Sequence, residues 1–433
     1  MLLLASILAS KASERLGVPA LLMFLFVGML AGSEGPGGIH FDYPRLVRFL
    51  GTIALAYILF AGGLDTEWKS VRPMFRNGMI LATVGVLLTA VFMAAFAVLV
   101  WKVAWLEGML LGSVISSTDA AATFAVLRSR RVSLKGQLRP LLELESASND
   151  PMAIFLTVTM LTLLADPSVP WWSAFPAFIK QMLLGGVLGF LLGKAVVLVV
   201  NHIRLEYEGL YPVLTLASVL LVFGAAETAG GNGYLAVYLA GVVMGNADFI
   251  HKRSLERFHD GLAWLMQIAM FLTLGLQVFP SHLKPVIGAG ILVSAFLMFG
   301  ARPLAVMISL IGSGLSLREK LLVSWAGLRG AVPIVLATFP LTAGTPRAEM
   351  IFNLVFFVVI ASVLLQGRSL PRVAGWLGLA KPIESKPRMP LEFDRTQQGL
   401  RTSMVQLAVS PASPAVGKPI IQLGLPDGVL VAM

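Results

Sequence analysis

Residues 142–155 read LELESASNDPMAIF, and their interpretation fixes the class of the whole chain. They sit within a largely apolar run from 138 to 165, long enough to cross the ~30 Å hydrocarbon layer, for which about 20 residues suffice. Asp150 falls near the middle of that run, in company with Glu143, Glu145 and Asn149. A lone acid at that depth costs about 2.5–3.5 kcal/mol on insertion scales, so it has to face protein or water rather than lipid. Glu145 and Asn149 are spaced i, i+4, as are Ser146 and Asp150, and the four line one wedge of the helix. Pro151 cannot donate to the carbonyl of Ala147, which leaves that oxygen free for a cation or a water. A buried polar latch between helices would account for one acid, but it accounts poorly for Asn-Asp-Pro at a midpoint.

The surrounding composition agrees. Of 433 residues, 57% are hydrophobic and 13% charged, with a mean hydropathy of +0.83, which marks an integral membrane protein. Thirteen candidate spans follow from hydropathy, at roughly 1–10, 18–32, 46–64, 77–101, 104–127, 138–165, 171–200, 209–228, 233–247, 260–279, 285–311, 317–341 and 349–370. No basic residue precedes the first apolar run, so a secretory signal fits poorly. Sixteen Lys and Arg residues fall in the loops after odd-numbered spans, among them Lys69, Arg72, Arg128, Arg130, Arg131 and Lys252; five fall in the opposite loops, namely Arg45, Arg48, Lys102, Lys284 and Arg347. That asymmetry predicts an outside N-terminus and a cytoplasmic C-terminus, and it explains most of the formal charge of +10 without a nucleic acid partner. The absence of cysteine removes disulfides, thiolate nucleophiles and zinc-cysteine sites. His40, His202, His251, His259 and His282 all fall in or beside predicted loops, which takes imidazole chemistry out of the bilayer interior.

Two further spans look interrupted. In the fifth, GSVISSTDAAATFAVL, the residues Ser116, Ser117, Thr118 and Asp119 are all helix N-cap types, followed by a fresh helical run from Ala120. In the twelfth, WAGLRGAVPIVLATFP, Gly327, Gly330 and Pro333 would break a helix, with Arg329 beside the break. Counted from either end, spans 1–6 and 8–13 make two six-helix halves around span 7. An odd linker inserts them with opposite orientation, so spans 5 and 12 become the crossing pair of an inverted repeat, the arrangement by which many transporters aim helix ends and loose carbonyls at an ion. Arg302, deep in the eleventh span, stays protonated and needs a permanent counter-charge. Glu145 is the preferred partner because it leaves Asp150 free to titrate. Proton and metal ion then compete for one carboxylate.

The Thr-Asp of the broken fifth span, the Glu-Ser-x-x-Asn-Asp run of the sixth, and the later Ala-Arg-Pro and Gly-Leu-Arg-Gly segments resemble monovalent cation:proton antiporters of the NhaP type, especially the bacterial potassium/proton branch. The resemblance covers nearly all of residues 1–380. It implies an all-α polytopic fold of about thirteen membrane helices, built as inverted repeats with crossing broken helices. It also implies a homodimer in the bacterial inner membrane, with dimerisation and mobile core subdomains working by an elevator-like alternating access. Asp150 would carry the exchanged ion or proton, Asn149 would stand beside it, and Thr118, Asp119 and Ser146 would supply oxygens to potassium or sodium, with no cofactor. Glu145 would pair structurally with Arg302. Asn149, where electrogenic relatives carry a second Asp, implies one-for-one electroneutral exchange. The chain departs from the pattern at Ala61 of LFAGGLD, where many relatives carry an acid; Asp65 lies one turn later.

Beyond about residue 380 the composition becomes a Pro-rich polar linker, 381–402, followed by a segment at 403–433 that reads as strand, short helix and strand and resembles the start of a TrkA-C regulatory domain with a small ligand. A lone βαβ fragment cannot bury its own core, so the chain continues past Met433 or this piece packs on a partner. Two other functions compete. An intramembrane aspartyl protease would use two aspartates, but neither Asp119 nor Asp150 follows a Gly-x-Gly element. A channel would need a filter-like Thr-Val-Gly-Tyr sequence or a ring of acids, and neither is present.

Overall fold

The computed structural model describes residues 1–16 and 20–382, with positions 418 and 422. Residues 1–382 form one compact unit and 383–433 a second; the linker beyond Pro382 and the expected strand-helix-strand fragment lie outside the described residues. The first unit is helical: α1 (Leu2–Leu16), α2 (Ala20–Ala31), α3 (Pro44–Asp65), α4 (Trp68–Trp101), α5 (Trp105–Ser116), α6 (Ala120–Ser129), α7 (Leu138–Ala165), α8 (Trp171–His202), α9 (Leu210–Thr228), α10 (Gly233–Gly245), α11 (Lys252–Gln277), α12 (Pro280–Ser309), α13 (Leu317–Trp325), α14 (Ala331–Ala343) and α15 (Ala348–Trp376). Among the described residues, seven helices are long and apolar enough to cross a membrane by length and composition, and eight if the bent pair α5 and α6 counts as one span. The thirteen-span expectation exceeds that count where helices are short, as in α2, α10 and α14, or charged at one end, as in α11.

The charged ends also explain where helix starts differ from hydropathy. Helix α4 begins at Trp68 rather than 77, and α11 at Lys252 rather than 260, because each enters through amphipathic turns bearing Lys69, Arg72 and Arg76 or Lys252, Arg253 and Arg257. The second shift corrects the histidine expectation. His259 lies inside α11, buried, with Nε2 2.9 Å from Thr215 Oγ1 and its ring edge-on to Phe60.

Helices α2, α3, α10 and α11 pack on one another, and α8 joins them by laying Gly185 and Gly189 directly against the backbone of Asn232 and Ala236. The same helix α8 is the least covered span, with 22% of its apolar window buried, whereas α7 reaches 67%. Helix α7 is therefore central, packed among α4, α5 and α14, while α8 faces outward. Helices α4, α12 and α15 each carry one wider π-turn, at Leu81–Gly85, Leu297–Ala301 and Val363–Gly367. Such a turn inserts one residue and re-aims those that follow; the turn in α12 ends immediately before Arg302.

Between α6 and α7 a short strand, β1 (Val132–Leu134), pairs antiparallel with β2 (Ala380–Pro382), which follows α15. Lys135 N donates to Leu379 O at 3.0 Å and Lys135 Nζ to Gly378 O at 2.9 Å, extending the ladder. The expected linker thus begins in a strand, at Lys381 and Pro382. At the far end, Glu34 accepts from Ser281 N at 2.7 Å and from its hydroxyl, and these bonds hold the Glu34 carboxyl below the usual carboxylate range.

Candidate functional site

The two interrupted spans meet at their breaks. Helix α5 ends at Ser116; Ser117 is extended (φ −62°, ψ 144°), and α6 restarts after Asp119, at an angle of 41°. Between α13 and α14 the chain is open from Ala326 to Gly330. Asp119 N donates to Leu328 O at 2.7 Å, and Thr123 Oγ1 to Ala326 O at 2.8 Å, so each break supplies hydrogen bonds that the other lacks. Arg329, fully buried, donates through Nη1 to the carbonyls of Ser116 and Ser117, both at 2.7 Å. Those oxygens lie at the negative end of α5, where a cation is favoured. Arg329 N in turn donates to Ser362 Oγ at 3.1 Å, tying the break to α15.

The glycines flanking Arg329 let these parts approach. A Cβ on Gly327 would lie 2.9 Å from Arg302 Nε and 3.2 Å from Thr118 Cγ2, and one on Gly330 would run into the Asp119 carboxylate. Asp119 has little room to move, since its Oδ1 accepts from Ala122 N at 2.9 Å as the cap of α6. Gly330→Ala is therefore expected to destabilise by about 1–3 kcal/mol, the usual cost of overpacking a close-fitted site. A thermal unfolding midpoint equal to that of the unmodified chain would contradict it.

Helix α7 brings its wedge against this crossing. Ser117 Oγ donates to Asp150 Oδ1. Asn149 Nδ2 donates to Thr118 Oγ1 at 2.6 Å, while Asn149 Oδ1 is buried with no hydrogen-bond partner among the described residues. Ser146 Oγ donates to Thr118 O at 3.0 Å and accepts from Ala120 N at 2.9 Å. One turn away, Glu145 accepts from Arg302 Nη2 in an ion pair whose members are each about 1% exposed. Of the two buried guanidinium groups, Arg302 is engaged by Glu145 and Arg329 by the carbonyls of Ser116 and Ser117, and no guanidinium contact to Asp150 exists among the described residues.

The structure thus gathers Thr118, Asp119, Glu145, Ser146, Asn149, Asp150, Arg302, Gly327, Arg329 and Gly330 around one crossing. The four N-cap candidates of the sequence reading divide in role. Asp119 alone caps α6, whereas Ser116 Oγ bonds back to Ser113 O at 2.7 Å and Ser117 turns to Asp150. Arg329, which the sequence places beside the break, binds carbonyls across it. Asn232, which the sequence reading did not single out, caps α10 through Oδ1 and reaches Pro151 O with Nδ2 at 3.2 Å. Ala61 is buried in α3, and Asp65 ends that helix.

The chain is similar to known proteins over most of its length. The family described as "Sodium/hydrogen exchanger, transmembrane" matches residues 2–376. The K(+)/H(+) antiporter NhaP of Alkalimonas amylolytica is 41% identical over 417 residues, covering 96% of this chain and 72% of that protein. The K(+)/H(+) antiporter NhaP2 of Shewanella baltica is also 41% identical, covering 99% of this chain and 74% of its own. Among solved structures, the sodium proton antiporter MjNhaP1 of Methanocaldococcus jannaschii superimposes with a TM-score of 0.75 at 26% identity, covering 87% of this chain and 97% of that one. A family that matches residues 2–376 leaves one assignment: the chain belongs to the transmembrane sodium/hydrogen exchanger family.

Proposed function

We propose that this chain exchanges potassium or sodium for protons across the bacterial inner membrane, one for one, with Asp150 as the group that carries either the cation or the proton. The observation that carries this reading is the position of Asp150, buried on α7 and hydrogen-bonded to the break between α5 and α6, while the neighbouring Arg302 is engaged by Glu145. A carboxylate without a fixed counter-charge, beside carbonyl and hydroxyl oxygens, can be neutralised by H⁺ or by an alkali cation but not by both at once. Asn149 Oδ1, a buried oxygen without a donor among the described residues, is a further candidate ligand, with Thr118, Asp119 and Ser146 around it. Membership of a transporter family removes the intramembrane protease alternative.

In this reading α1, α2, α10, α11 and the interrupted pair α13 and α14 bring the eight apolar spans to thirteen, the N-terminus is outside and the C-terminus cytoplasmic, and spans 5 and 12 cross as inverted repeats. Helices α4 to α7 and α12 to α15 form the mobile core, which slides in an elevator-like motion along the group built from α2, α3, α8, α10 and α11. A homodimer holds that second group still, and a small ligand acts through the tail. The potassium/proton relatives at 41% identity support potassium; the sodium antiporter neighbour supports sodium.

Reconstitution into liposomes holding a pH-sensitive dye tests the function. Potassium or sodium added outside moves protons in the opposite direction, and an imposed membrane voltage leaves the rate unchanged. No proton movement with either cation overturns the proposal, and a voltage-dependent rate overturns its one-for-one stoichiometry.

A further inference from the structure

We infer that Ser117 is a positioning residue for the exchange, the hydroxyl that follows the change of occupant on Asp150, and that Arg329 holds it at its post. This deepens the reading of Asp150 as the exchanging group and rests on it. Of the four hydroxyl residues at the break and the facing wedge, Ser116 bonds to Ser113 O, Thr118 Oγ1 accepts from Asn149, and Ser146 Oγ both donates to Thr118 O and accepts from Ala120 N. Ser117 is the one whose hydroxyl contacts the Asp150 carboxylate. It is buried, 1% exposed, and its backbone is extended rather than helical, so the common retreat of a serine hydroxyl to a carbonyl one turn back is unavailable to it. Its own carbonyl, and that of Ser116, are held by Arg329 Nη1. A guanidinium keeps its charge and fixed fork through the cycle, so the clamp does not loosen when Asp150 changes state.

A hydroxyl has one donor and two acceptor lone pairs and rotates freely. Facing a charged Asp150 it donates. Facing a protonated Asp150 it accepts from the acid hydrogen, and facing a cation it turns a lone pair to the ion. Ser117 therefore offers a partner in all three states without moving its Cα. The other charged groups around Asp150 are Asp119 on the same break, Arg329 on the opposite one, and the Glu145–Arg302 pair; each already has a partner named above, so none substitutes for the hydroxyl.

The test uses the full chain in dye-loaded liposomes, with Asp150→Asn as a separate control. Ser117→Ala is expected to raise the apparent KM for potassium roughly fivefold, the equivalent of one ordinary hydrogen bond, and to move the half-maximal pH of exchange by about 0.7 unit to the alkaline side, since a donor to the charged form is lost. Ser117→Cys, close in size and a weaker donor, moves both quantities in the same sense by less, and keeps the result interpretable if the alanine variant folds poorly. Both variants retaining the unmodified pH profile and KM would overturn the role of Ser117 even where Asp150→Asn is inactive. An active Asp150→Asn would instead strike the reading on which this inference rests.

Discussion

Asp150→Asn is expected to reduce cation-driven proton movement to the level of empty liposomes while the protein stays folded. The amide matches the carboxylate in shape, and its oxygen can still accept from Ser117, so the contact that orders the break survives. What disappears is the one property exchange needs, a group that is neutral with a proton and negative without one. Because the native acid is buried at the centre of α7, removing its charge relieves a desolvation cost, and the thermal unfolding midpoint should hold or rise. Dye-reported exchange in the variant equal to that of the unmodified chain would end the mechanism, whatever the fate of the family assignment.

Glu145→Ala works on stability first. It leaves the Arg302 guanidinium buried in the core with its counter-ion gone, and breaking one side of a buried pair costs about 3–5 kcal/mol. The site already strains to satisfy this arginine, since Arg302 Nε is buried with no hydrogen-bond partner among the described residues. Glu145→Ala together with Arg302→Ala removes both charges, so the double variant should recover much of the lost stability, measured as the unfolding midpoint in detergent and the yield of membrane-inserted protein. If the double variant unfolds as early as the single one, the pair contributes nothing as a pair. Lost turnover in both variants is compatible with either outcome, and it is the stability that decides.

Much of this site was legible in the sequence because membranes penalise polar residues so heavily that their presence is informative. Asp150, Glu145 and Arg302 stood out on depth alone, and the structure joins the last two as charge balance demanded. The breaks were legible through capping residues and glycines, though not which residue caps: Asp119 and Ser117 differ by two positions and have opposite roles, one turned to its own helix and the other to α7. Asn232 and Ser362 escaped notice because a single small polar residue in an apolar stretch carries no periodic signal; their partners, Pro151 O and Arg329 N, are far away in sequence. Helix starts at Trp68 and Lys252 were missed for a different reason, since hydropathy records the oily part of a helix and is blind to a charged turn that continues it.

The small ladder between β1 and β2 has a mechanical consequence. Its first strand lies in the eight-residue connection between α6 and α7, the helices that begin just after Asp119 and contain Asp150. Its second strand is the last described stretch before the chain leaves for residue 383. The chain at Pro382 is therefore tied, through three residue pairs, Val132 with Pro382, Ser133 with Lys381 and Leu134 with Ala380, to the connection that joins the two halves of the site.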